Sequence, residues 1–90
     1  GFGPDPGTVR VVICHPRSLE EVEAVASHLK ARCPVLVSLK QADREAARRI
    51  VDFLSGTVYA LDGVMRVVGD DVVLCAPGGV DVRWEGNPTE

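Results

Sequence analysis

Cys14 and His15 are the only neighbouring cysteine–histidine pair in the chain. A nucleophilic cysteine needs a base held across from its sulfur and a pocket for the substrate. Neighbours on a strand point to opposite faces, so these two do not face each other. Catalysis is therefore not expected from them. The cysteines Cys14, Cys33 and Cys75 and the histidines His15 and His28 show neither C-x-x-C nor H-x-x-x-H spacing, so no metal site and no cofactor are expected. His28 reads as a surface histidine of a helix. Gly78-Gly79 precedes no helix and reads as a turn, not as a phosphate cradle. Glu20, Glu21 and Glu23 sit where a first helical turn wants negative charge, which explains them without an active site.

The residues that suggest a function are of another kind. Arg48 and Arg49 precede Phe53 in a segment of helical pattern. Basic residues bordering an exposed aromatic suit a peptide that is partly acidic and partly apolar. The plain alternative is a solvated charged face, with Glu45 and Arg49 as an i, i+4 ion pair of small worth.

The element that must position them runs from Gln41 to Leu61. At 100° per residue, Arg44, Glu45, Arg48, Asp52, Ser55 and Tyr59 gather on one side. The apolar residues fill an arc of roughly 180°, wider than the stripe of about 100° that one core requires. Ala47, Ile50, Leu54, Val58 and Leu61 suit an underlying sheet. A second row, Ala46, Ile50, Phe53, Thr57 and Ala60, turns aside and wants a neighbouring helix or a second subunit. Gly56 lies inside this pattern. An interior glycine costs about 1 kcal/mol against alanine, so a close approach of another backbone is expected there. A helix ending at Ser55-Gly56 is the alternative. The period continues through Val58 and Leu61 and favours an unbroken helix.

Ninety residues allow one domain, and 46% apolar composition with few aromatics implies an aliphatic core. A net charge of −3 argues against broad nucleic-acid binding. No apolar run reaches the roughly 18 residues of a membrane span, and no signal peptide is present. The three cysteines lie in or beside apolar strands, where cysteine acts as a small hydrophobe, and a cytoplasmic setting is expected.

In chain order, residues 1–7 read as the end of a linker, 8–84 as the domain and 85–90 as a flexible tail. Thr8 to Cys14 is a β-branched strand, ended by His15-Pro16-Arg17. Ser18 to Glu21 is a capping box opening a helix that runs to about Ala31. Pro34 to Leu39 is a second strand, parallel to the first through a right-handed crossover. The long helix follows, then Val64 to Val68 and Val72 to Ala76 as a hairpin about Gly69-Asp70-Asp71. Val80 to Trp84 alternates and predicts a last strand. The expected fold is α/β, βαβαβββ, an α+β sandwich with both helices on one face of a mixed sheet. Strands 1, 2 and 4 are apolar on both faces, so the far face needs another subunit or a further segment. Two different self-contacts on one protomer generate a polymer.

The strings A-R-R-I-V-D-F-L-S-G-T-V-Y-A-L-D-G, V-V-I-C-H-P-R-S, C-P-V-L-V-S-L and V-V-L-C-A-P-G-G-V-D-V, in this order and spacing, resemble the core domain of the SepF cell-division family. The resemblance covers nearly all of Val9 to Val82. It implies a non-enzymatic septum-assembly adaptor at the division site. Such a domain dimerises, polymerises into arcs or rings, and binds the C-terminal tail of FtsZ. It implies membrane attachment by a separate N-terminal helix that this sequence does not contain. By position, Gly56 corresponds to the glycine linked to ring assembly, and Arg48, Arg49 and Phe53 fall in the block associated with tail binding. C-H-P-R stands where the family commonly has a more acidic stretch. A small-molecule-binding regulatory module is the alternative and predicts a polar pocket at the start of the first helix. A nucleic-acid-binding domain comes third, disfavoured by charge.

Overall fold

The computed structural model describes residues 7–86. Residues 1–6 of the linker reading and 87–90 of the tail reading lie outside them.

Six elements form in the order β1 (Val12–Cys14), α1 (Leu19–Lys30), β2 (Val35–Ser38), α2 (Arg44–Ala60), β3 (Val64–Gly69) and β4 (Val72–Ala76). The sheet order is β1-β2-β4-β3. β1 and β2 are parallel, while β4 runs antiparallel to both of its neighbours. Each of the first two strands is followed by a helix on the same face. Two helices on one side of a four-stranded mixed sheet is the expected architecture.

The helix starts follow from side-chain chemistry. Ser18 accepts the Glu21 amide at 3.4 Å, and Asp43 accepts the Ala46 amide at 2.8 Å. The return half of the first cap differs from expectation. Glu21 accepts from the Arg17 amide, 2.8 Å, and from the Arg17 guanidinium, 3.1 Å, rather than from Ser18. The Arg17 backbone hydrogen bond, then its side chain, holds the Glu21 carboxyl below its ordinary pKa.

α2 is unbroken through Gly56. Its inner row Ile50, Leu54 and Val58 meets Val35, Val37, Val73 and Cys75 of the sheet and Val22, Val25 and Leu29 of α1 in one aliphatic core. Fully burying one such side chain contributes about 2 kcal/mol. No polar side chain is buried among the described residues.

α2 begins at Arg44 behind its Asp43 cap, not at Gln41, and the sequence expectation fails at two further places. β1 is three residues long, and Val9 and Val11 before it are exposed. Val80–Trp84 joins no ladder, although its alternation survives: Val80 and Val82 are half-buried, Asp81 and Arg83 exposed. The physical reason is position. Both sides of β4 are occupied, and Val80 lines a cleft of about 490 Å³ together with Val9 and Arg10 without pairing to them. A ladder needs strands about 4.8 Å apart.

One end of the molecule is tied by its turns. Arg32 Nη1 donates to the Gly78 carbonyl at 3.0 Å, and the Gly78 amide donates to the Leu61 carbonyl at 2.9 Å. A Cβ at Gly63 would fall onto the Ala76 carbonyl oxygen, and one at Gly78 would lie 2.8 Å from the Leu61 oxygen. The α2–β3 and post-β4 turns therefore interlock backbone to backbone. Gly63→Ala is expected to destabilise the domain by about 3 kcal/mol, as overpacking against unyielding backbone does. Urea unfolding of the parent and the variant measures it.

Cys14, Cys33 and Cys75 are all free thiols. Burial, and secondarily the proximity of Cys14, pushes the Cys75 thiol up to about 12. The unfolded thiol ionises near pH 9, so Cys75 contributes stability that is complete below that pH and is lost as pH rises toward 12. A thermal midpoint that falls across this window in the parent and falls less in Cys75→Val is the expected result. Native Cys75 should also resist alkylation at pH 8, with a thiolate fraction of about 10⁻⁴.

Candidate functional site

Among the described residues no cluster with catalytic geometry emerges. Cys14 is half-buried on the helix side of β1, and His15 is exposed beyond its end. Among the described residues no three His, Cys, Asp or Glu side chains group as metal ligands. No helix among them is long and apolar enough to cross a membrane. At the start of α1, where the small-molecule alternative would place a polar pocket, Arg17 and Glu21 form an exposed ion pair. A cleft of about 430 Å³ lies on the outer sheet face, between Ile13, Leu36 and Val72 and the polar ends His15, Ser38, Lys40 and Gln41.

The informative surface is α2, whose rows part company in three dimensions. Ser55 Oγ reaches Met65 Sδ of β3 at 3.9 Å. The row containing Ser55 therefore borders β3, and helical spacing puts Arg44, Arg48 and Val51 in it. Arg49, Phe53, Gly56 and Ala60 form a row on the other flank, the one turned toward α1. α1 packs beside α2 on that side. Arg48 and Arg49 are consecutive in sequence and stand on different flanks. Arg44, Glu45 and Arg48 line a cleft of about 480 Å³; Arg49 and Phe53 are not part of its lining.

Individual residues correct the sequence picture. Ile50 is 0% exposed and belongs to the protomer's own core, so it cannot meet a second copy. It lies on the boundary of the two apolar rows, and the fold assigns it inward. Phe53 is half-buried and packed against the core rather than fully exposed. Ala46 and Thr57 are half-buried, while Gly56 and Ala60 are exposed. Thr57 Oγ1 donates to the Phe53 carbonyl at 3.0 Å, which satisfies the hydroxyl within the helix. Glu45 and Arg49 form no ion pair; the pairs among the described residues are Arg17–Glu21, Arg83–Asp81 and Arg83–Glu85.

Gly56 is exposed, and nothing lies within 4 Å of where its Cβ would be. No contact inside the protomer requires a glycine there. Tyr59, 86% exposed, stands one turn further along the outer side. The outer sheet face is the second open apolar surface. Ile13, Leu36, Leu74 and Arg66 stand in register across all four strands. Ile13 is 65% exposed, and no element among the described residues covers this row. Helical spacing in the sequence already set Arg44 beside Arg48; what it did not show is that the two line a common cleft.

Comparisons with known proteins agree with this architecture. Residues 11–82 match the family model described as cell division protein SepF. The chain is 47% identical over 77 residues to the cell division protein SepF of Heliobacterium modesticaldum, covering 86% of this chain and 47% of that protein. It is 51% identical over 73 residues to the SepF of Anoxybacillus flavithermus, covering 81% of this chain and 52% of that one. The chain thus spans about half the length of the curated relatives it matches. A solved SepF-like protein from Archaeoglobus fulgidus superposes with a TM-score of 0.79 at 18% identity, covering 90% of this chain and 100% of that chain. One from Pyrococcus furiosus gives 0.74 at 19% identity, with 91% and 100% covered. At such identities the structural likeness speaks to the fold alone. The sequence matches carry the assignment, and by them the chain belongs to the SepF family of cell-division proteins.

Proposed function

We propose that this domain is a non-catalytic adaptor of septum assembly, in the cytoplasm at the division site. In this reading it self-associates, holds the C-terminal tail of FtsZ, and is attached to the membrane by an N-terminal helix outside this segment. Family membership supports the cell-division role.

The observation that carries self-association is Gly56. A glycine inside a helix costs about 1 kcal/mol relative to alanine. The protomer offers no compensating contact, since the site is open. A second chain whose backbone comes close there supplies the missing reason, with Ala46, Thr57 and Ala60 on the same small-residue flank. The outer sheet face provides a different second surface, and two unlike self-contacts extend into arcs or filaments.

Arg49 and Phe53 continue the Gly56 row toward the helix start. They suit the apolar and acidic parts of a tail at the border of the copy–copy contact, while Arg48 would reach it only from the other flank. Exposed Arg49 adds charge and half-buried Phe53 adds apolar area.

Gly56→Lys is expected to abolish higher assembly while leaving a folded, tail-binding unit, because a buried unpaired ammonium costs several kcal/mol. Lysine is a better helix former than glycine, so α2 survives. Phe53→Ala is expected to weaken tail binding and lower the thermal midpoint modestly, while Arg49→Glu weakens binding with the midpoint unchanged. Electron microscopy for rings, light scattering and titration with the FtsZ tail peptide on the same samples decide the matter. Normal polymers from Gly56→Lys would remove the close-approach reading. A monomer in the parent at high micromolar concentration would remove both interfaces. Unchanged affinity in Phe53→Ala and Arg49→Glu would remove this row as the tail site.

A further inference from the structure

The parallel pairing of β1 with β2 carries the chain before β1 past the α1–β2 turn. Val12 stands opposite Val35, and the same register brings Arg10 level with Cys33 and its neighbour Arg32. Val12 and Cys14 pack on the helix side of the sheet, and alternation gives Arg10 that side too. The two arginines line one cleft of about 490 Å³, with Thr8, Pro34 and Val80 among its walls. A cleft of this size holds a small molecule.

The two side chains are held differently. Arg32 follows the C-cap Ala31 of α1 with φ 69°, in the left-handed region. Glycine is the usual residue there, because a Cβ disfavours that backbone. The Arg32 amide donates to the Leu29 carbonyl and the Cys33 amide to the His28 carbonyl, each at 3.0 Å. Backbone alone therefore closes the helix and gives no reason for an arginine. The guanidinium gives one. Its Nη1 donates to the Gly78 carbonyl at 3.0 Å, which fixes the group beside the cleft with further N–H donors free of that bond. Arg10 is exposed, and no ion pair or hydrogen bond holds its side chain among the described residues.

Charge selects the ligand. No carboxylate lines this cleft. Asp81 follows Val80 and pairs with Arg83 at 3.9 Å. Asp62 lines an adjoining cleft with Arg32 and Gly78, and forms no ion pair with Arg32. The dipole of α1 accounts for Lys30 and Arg32 at its C-terminal end, but not for Arg10, which comes from another segment. In a chain of net charge −3, two guanidiniums thus meet at one concave place. Two positive charges match a phosphate monoester, which carries close to two negative charges at neutral pH.

We propose that this cleft binds a phosphate monoester, its oxygens shared between the Arg10 and Arg32 guanidiniums, with the Thr8 hydroxyl beside them. Planar guanidiniums meet phosphate oxygens in pairs, and Pro34 and Val80 offer an apolar wall to the organic part of the ligand. The phosphate belongs to a soluble molecule or to a lipid headgroup; the chemistry of capture is the same. No residue of α2 lines the cleft, so the site stands apart from the self-association and tail-binding readings.

Phenyl phosphate is titrated into the ¹⁵N-labelled domain at constant ionic strength while amide and arginine Nε–H shifts are read, with phenol and sodium chloride as controls. The expected result is saturable shifts at Thr8 to Arg10, Arg32, Cys33 and Val80 in the millimolar range, absent in both controls. Arg10→Gln should weaken binding at least about tenfold with an unchanged thermal midpoint, since that side chain holds nothing else in place. Arg32→Gly should weaken it similarly and still fold, because glycine suits the left-handed backbone. A second arm measures co-flotation with phosphatidylcholine vesicles with and without phosphatidic acid. Recruitment by phosphatidic acid that Arg10→Gln loses assigns the phosphate to a headgroup. Saturable phenyl phosphate binding without recruitment assigns it to a soluble molecule. Either outcome supports the site. Failure of both arms would overturn it. So would shifts that phenol or sodium chloride reproduces, or unchanged affinity in the folded Arg10→Gln and Arg32→Gly variants.

Discussion

The burial of Ile50, Leu54 and Val58 against the helix side of β2 and β4 is the contact on which the other features of this domain depend. It sets the rotation of α2 about its axis. Once that row is inward, Arg44, Arg48 and Ser55 must border β3, and Arg49, Phe53, Gly56 and Ala60 must turn to the other flank. The same contact leaves Tyr59 in water. The interlocked turns at Gly63 and Gly78 hold the C-terminal end of α2 in this setting, because backbone there meets backbone and cannot yield.

A domain of this size has too few elements to cover both faces of its sheet. Two helices close one face and leave Ile13, Leu36 and Leu74 on the other, with no third layer among the described residues. The open face and the small-residue flank of α2 differ in shape and chemistry. Ordinary monomers expose apolar residues singly; contiguous patches mark contact with something else.

Charge is distributed unevenly around α2. Arg44 and Arg48 form no ion pair among the described residues, and Glu45 lines the same cleft with them. Exposed pairs would in any case be worth little.

The order of the six elements, the Ser18 cap, the aliphatic core and the unbroken course of α2 through Gly56 were legible in the sequence, because they follow from periodicity and local hydrogen bonding. Ser18 announces its helix within three residues, and Ile50, Leu54 and Val58 mark a face by spacing alone, whereas the Asp43 cap that starts α2 went unread. The family strings were legible for the same reason, being local. The parting of Arg48 from Arg49 follows from helical geometry, but which flank meets β3 depends on where the sheet lies. The inward assignment of Ile50 and the partial burial of Phe53 depend on the position of α1. The unpaired state of Val80–Trp84 needed the strand order, since an alternating segment pairs only if an edge lies within ladder distance. Tertiary structure decided these points because each is a relation between residues far apart in sequence, and local pattern carries no record of that distance.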